Sequence, residues 1–158
     1  MKTWMVNAFK VSIILIGVAV LLLFIFWLPN VSRRLAISNP EYAYLRYPLL
    51  FGLYITGIPF YMGIFHTFKL LKLIQGNSAF TKNACKSLGA IKIYAILVIA
   101  IYIIGMILIS INNAIQFEVL VFGILIMFAS FIIAIFSAIL KELLRKAVEI
   151  KDENDFTI

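Results

Sequence analysis

The chain has 158 residues, of which 64% are hydrophobic and 13% charged, with a formal net charge of +7. A soluble domain is about half apolar and about a quarter charged, so water is not the main solvent of this chain, and a single cysteine excludes an internal disulfide or a cysteine-only metal cluster. The basic residues stand in short clusters between long apolar runs and form no stripe, which points to membrane topology and away from direct nucleic-acid binding.

Four stretches free of Asp, Glu, Lys and Arg follow one another: Val11 to Leu28, Tyr47 to Phe68, Ile93 to Ile111 and Val119 to Leu140. With their flanks they predict spans at about 9–29, 47–71, 88–111 and 118–140, each near the ~20 helical residues that cross a ~30 Å hydrocarbon core. The fold class expected is all-α: a bundle of four transmembrane helices. The first stretch follows Lys2 and Lys10 much as a signal peptide would. Leu28-Pro29-Asn30-Val31-Ser32 offers no small-x-small cleavage site, so an uncleaved first span is expected.

Between the first two spans, Asn39-Pro40-Glu41 reads as a helix start, with Asn as N-cap, Pro at the first helical position and an acid in the first turn. Arg33, Arg34 and Arg46 flank it and are candidate contacts for an anion or a lipid headgroup on that side. Trp4, Trp27, Tyr42, Tyr44 and Tyr47 fall where amphipathic rings anchor at a headgroup level. Pro48 and Pro59 lie in the second span, and Pro59, near its middle, is a candidate hinge or fixed kink.

Phe51-Gly52 through Phe65 aligns without gaps with Phe122-Gly123 through Phe136, a faint sign of a repeated two-helix unit. Asn112 to Glu118 is short and polar, which makes the last two spans an antiparallel hairpin. Ser130, Ala134 and Ala138 recur every four residues, with Ser137 alongside, as small residues do where two helices approach closely, within the bundle or with a second copy.

Beyond the fourth span, Leu140, Leu143, Leu144, Ala147 and Val148 keep an apolar helical stripe, and Glu142–Lys146 and Arg145–Glu149 stand four residues apart. An amphipathic helix is expected over 141–150, followed by an acidic tail over 151–158 that closes on Phe156 and Ile158. Leu143, Leu144, Ala147, Val148, Phe156 and Ile158 are the candidate partner-binding residues. Eleven basic residues (Lys2, Lys10, Lys69, Lys72, Lys82, Lys86, Lys92, Lys141, Arg145, Lys146 and Lys151) flank the spans on the side of the termini and the middle loop. Three (Arg33, Arg34 and Arg46) lie on the other side, so the termini and the extension of the last span are expected in the cytoplasm.

No catalytic, cofactor or metal site is expected. The four charge-free stretches hold no ionised side chain of the kind that proton-coupled transporters and multidrug exporters place inside the membrane. His66 is the one histidine and no acid lies in the charge-free stretches, so no triad can be assembled, a Ser–Lys dyad lacks its intramembrane lysine, and a lone imidazole is not a metal site.

Tyr44-Leu45-Arg46-Tyr47-Pro48-Leu49-Leu50, Gly57-Ile58-Pro59-Phe60, Phe68-Lys69-Leu70-Leu71, Asn77-Ser78-Ala79-Phe80 and the closing Glu153-Asn154-Asp155-Phe156-Thr157-Ile158 are specific strings. From the first span to the tail, the chain resembles the bacterial four-helix membrane proteins grouped as domain of unknown function 2975. The resemblance implies a multi-pass protein of the bacterial cytoplasmic membrane with no established activity, and a helix-turn-helix regulator as a cytoplasmic partner. Two functions are expected on these grounds. The first is a non-enzymatic regulatory or signalling protein, set among membrane lipids, that engages a soluble partner through its last helix and tail. The alternative is a small transport or immunity and resistance component acting as a homo-oligomer.

Overall fold

The computed structural model describes residues 3–76, 81–112 and 117–156. The regular structure among them is entirely helical, which the apolar runs require: in hydrocarbon each backbone amide and carbonyl must find its partner inside the chain.

Helix α1 (Thr3–Leu22) continues through a single π-helical turn (Leu23–Trp27) into α2 (Leu28–Ser38), so the first span is a 36-residue helix, longer than the 9–29 expected. The π turn has a chemical reason. The amide of Leu28 reaches back five residues to the carbonyl of Leu23, and the next donor in that register would be residue 29. That residue is Pro29, which has no N–H, so the carbonyl of Phe24 loses its helical partner. The Tyr54 hydroxyl donates to that carbonyl instead, at 2.6 Å.

Asn39 ends α2 and stands at the N-cap position of the next helical stretch, as expected, but its side chain does not cap that stretch: its amide donates back to the carbonyl of Leu35 at 3.2 Å. A 3₁₀ stretch (Pro40–Leu45) then leads into α3 (Arg46–Gln75). Pro48 falls in the first turn of α3, where a missing amide removes no helical bond, while Pro59 is buried inside a helix that runs on unbroken. Helix α4 (Lys82–Ile111) opens with Thr81 as N-cap, its side-chain oxygen accepting from the amide of Ala84 at 3.3 Å. Helix α5 (Phe117–Phe156) has 40 residues and so is about 60 Å long, twice the hydrocarbon thickness. No Gly or Pro interrupts it after Leu140, and residues 151–156, expected as a tail, belong to the helix.

The spans pack in chain order. On α1, Val6 and Ile13 bury against Leu71, with Ile64, Phe68 and Ile74 around them. Tyr61 donates to the carbonyl of Gly17 at 2.7 Å, and Lys10 to the side-chain oxygen of Gln75 at 2.7 Å. The ring of Phe24 lies over Gly57, where a Cβ would meet it at 2.7 Å, and meets Tyr54 edge-on at 5.7 Å between centroids. Between α3 and α4, His66 stacks on Tyr94. Between α4 and α5, Met106 fills the place a side chain at Gly123 would take, and the Lys141 side chain crosses α4 over Gly89.

Among the described residues the first span packs on α3, and it meets α5 through one ring pair, Trp27 with Phe122 at 6.2 Å. The expected bundle is therefore an open antiparallel array with its two chain ends at one end. Its accessible surface is 10738 Å², against about 8,000 Å² for a compact soluble monomer of 17.9 kDa. The excess is apolar span surface, with residues such as Phe51, Ile58, Phe65, Phe128 and Phe136 more than half exposed and lipid left to cover them.

Tyr54→Phe, which strands the carbonyl of Phe24, is expected to destabilise the protein by roughly 0.5–2 kcal/mol in a reversible denaturation in mixed micelles. Tyr47→Phe, at an exposed ring that keeps its contact with Arg46, is expected to change stability by less than about 0.5 kcal/mol.

Candidate functional site

The packing brings the basic residues of four helices to one level. Lys10 sits beside Gln75 of α3, Lys69 and Lys72 lie within two turns of that end, Lys86 and Lys92 lie in the first three turns of α4, and Lys141 and Arg145 lie opposite them on α5. Arg33, Arg34 and Arg46 occupy the other end. The array thus has one densely basic rim, and α5 leaves it through that rim.

Two sides of the α5 extension have different surroundings. Opposite Gly89, Lys141 marks the line along which α5 meets α4, and Arg145 comes near Cys85 one turn further on. One more turn reaches Val148, which is buried at 7% exposure, and Leu144 on the same side is half-buried. Helix α4 begins at Lys82, so its first turns supply the cover that the stripe needs. Of the expected partner-binding residues, Val148 and Leu144 thus fall on the side of α5 that carries Lys141. Leu143 stays 60% exposed and Ala147 half-buried. The Phe156 side chain and Ile158 lie outside the described residues, as do Lys2 and the Asn77–Phe80 string.

Arg145 gathers both acids of the helix. It bonds Glu142 through two nitrogens, at 2.5 and 3.1 Å, and Glu149 at 2.7 Å. The expected Glu142–Lys146 pairing is replaced, because Arg145 three residues on offers a two-pronged fit that a lysine cannot. The Arg145 hydrogen bonds hold the Glu142 carboxyl below the usual carboxylate range, and Lys146 and Lys141 add to this as nearby positive charges.

The remaining candidates are placed around this rim and away from it. Ser130 and Ala134 are buried with Ser137, and Ala138 is half-buried, on the side of α5 that packs on α4. At the far end, Arg33 and Arg34 are exposed. Arg46 is half-buried with its guanidinium 4.9 Å from the Tyr47 ring centroid, and its Nε is enclosed with no hydrogen-bond partner. His66 is half-buried between Phe65 and Tyr94, its Nδ1 likewise without a partner. The hydroxyls of Ser12, Thr56 and Thr67 each donate to a carbonyl three or four residues back. Among the described residues no three His, Cys, Asp or Glu side chains come together to hold a metal ion.

The model of the family described as "Protein of unknown function (DUF2975)" matches residues 30–158. The chain belongs to the DUF2975 family. The match begins after most of the first span, so the family likeness covers the last three spans and the extension, less of the chain than the expected start at the first span. An "Uncharacterized membrane protein YoaS" of Bacillus subtilis (strain 168) is 39% identical over 153 residues, covering 94% of each chain and so the first span as well. No solved structure matches. This DUF2975 protein is accordingly a membrane protein with four candidate spans.

Ile150, expected only as the end of the extension, is 60% exposed. Its signal was a second apolar period, Leu143, Ala147, Ile150, lying beside the one that was read.

A folded-state carboxyl held low stabilises above its unfolded value and loses that contribution as pH falls through the folded value. The Glu142 pairing is therefore expected to be complete near neutrality and to loosen only under acid conditions, below the ordinary carboxylate range. An NMR titration of selectively labelled Glu142 checks this: in Arg145→Ala its midpoint is expected to move up towards the ordinary glutamate value.

Proposed function

We propose that the protein is a non-enzymatic regulatory or signalling component of the bacterial cytoplasmic membrane, with both ends in the cytoplasm, and that it engages a soluble partner through the extension of α5. The observation that carries this is the helix itself. α5 runs about 24 Å past Leu140, the end of its charge-free run, whereas α3 and α4 end or begin near the basic rim. Its first turns pack along α4, and it presents exposed Leu143 and Ile150 beyond the spans. The basic rim supports the cytoplasmic side for it, since lysine and arginine accumulate on the side of a membrane that is not translocated.

The resemblance to a family whose members accompany helix-turn-helix regulators makes such a regulator the first partner to look for. The transport or resistance alternative rested partly on a small-residue face free to join a second copy. Ser130 and Ala134 pack instead on α4, and no feature of the described residues favours it.

Affinity capture of the tagged full-length protein from native membranes in mild detergent, beside a version ending at Ile150, tests the proposal. A soluble protein held at least about tenfold better by the full-length form is expected. Equal capture by both forms removes the last eight residues from the interaction, and capture of no soluble protein contradicts the proposal.

A further inference from the structure

We propose that Lys86 and Lys92 of α4 and Lys141 of α5 form a site for the phosphate of an anionic ligand, at the level where acidic phospholipid headgroups lie. The site stands apart from the far turns of the α5 extension, and it does not depend on which side of the membrane that end faces.

The level is marked twice. Lys92 directly precedes the charge-free run of α4, which starts at Ile93, and Lys141 directly follows the run of α5, which ends at Leu140. At about 1.5 Å per residue each run is close to the ~30 Å thickness of the hydrocarbon, so both lysines stand at its edge. Lipid phosphates lie just beyond that edge.

Packing brings the two helices together at the same place. The Lys141 side chain lies over Gly89, where a Cβ would meet its Nζ at 2.9 Å, its Cε at 3.4 Å and its Cδ at 3.5 Å. The missing side chain at 89 is what lets the ammonium rest on the surface of α4. Lys86 and Lys92 are three residues before and after Gly89, which sets them about 60° to either side of it and within one turn along the helix. Their flexible four-carbon stems can close on a phosphate held over Gly89.

The local charge selects an anion. Neither α3 nor α4 carries an acid anywhere along its length. On α5 the nearest acid, Glu142, is held by two nitrogens of Arg145, which also holds Glu149. The acids of the last turns begin at Asp152, about 16 Å further along the helix from Lys141. None of the three lysines makes an ion pair among the described residues. Three compact ammonium groups with three donors each match the oxygens of a phosphate. In a zwitterionic headgroup an attached cation cancels the phosphate charge, so an acidic phospholipid is preferred.

The test titrates full-length protein in nonionic detergent with phosphatidylglycerol or phosphatidylcholine and counts bound lipid by native mass spectrometry. Phosphatidylglycerol is expected to bind at least about tenfold better than phosphatidylcholine, and K86Q/K92Q/K141Q to reduce its binding by about tenfold. K72Q/K146Q/K151Q removes the same charge from the same end and is expected to bind within about twofold of the parent. Lys141→Gln alone, its fold checked with the others by elution in detergent, is expected to fall between. Inorganic phosphate then competes, against chloride of equal ionic strength. Lipid that stays bound makes the headgroup the ligand, displacement makes it a soluble phosphate compound, and both results support the site. No binding of phosphatidylglycerol, equal binding of the two lipids, no loss in K86Q/K92Q/K141Q, or an equal loss in the two triple variants overturns the inference.

Discussion

Everything in the fold depends on one requirement, that a backbone carbonyl inside hydrocarbon must find a donor within the chain. Regular helix meets most of it, and the polar side chains of the spans meet the rest. Tyr54 serves the carbonyl that Pro29 leaves open, Tyr61 reaches across to Gly17, and Ser12, Asn30 and Thr67 donate back along their own helices. Two of these bonds, those of Tyr54 and Tyr61, join the first span to α3, so its attachment is in part a consequence of repairing its backbone at Phe24. Gly57 belongs to the same arrangement, since only a residue without a side chain lets the Phe24 ring lie close enough for Tyr54 to reach.

With those polar groups engaged in the spans, the chemistry open to an aqueous partner lies at the ends. The two ends differ. One carries three arginines around a short connecting segment, and the other carries lysines from every span and a helix that continues for several turns. On that helix the work is divided by direction. The side through Lys141 and Val148 faces α4, Arg145 beside it holds Glu142 and Glu149, and Leu143 and Ile150 stand exposed away from it.

The spans, the helical extension and the small-residue face were legible because each rests on local composition: charge-free runs of membrane length, a 3.6-residue apolar period, and Ser130, Ala134 and Ala138 at fours. What was not legible depends on which helix lies beside which. The stripe of Leu140, Leu143, Leu144, Ala147 and Val148 is wide enough to face two directions, and only the reach of α4 down to Lys82 decides that Val148 is covered. The π turn is hidden in a uniformly apolar run, although Pro29 announces a missing donor four or five residues downstream of its carbonyl. Asn39 looked like an N-cap because Asn caps both kinds of helix end, and its side chain serves the earlier one. The helix running on to Phe156 was missed because an acidic run at a helix C-terminus is unfavourable to the dipole, an effect smaller than continued propagation.

The orientation of the array in its membrane is the claim on which the proposed role of α5 stands, and single-cysteine labelling tests it most directly. With Cys85 replaced by Ser, Ile37→Cys in α2 and Ile150→Cys in α5 are each exposed to a membrane-impermeant maleimide in intact and in permeabilised cells. Labelling at position 37 in intact cells, with position 150 labelled only after permeabilisation, is the predicted result. Labelling at position 150 in intact cells would place the extension outside and contradict a cytoplasmic partner.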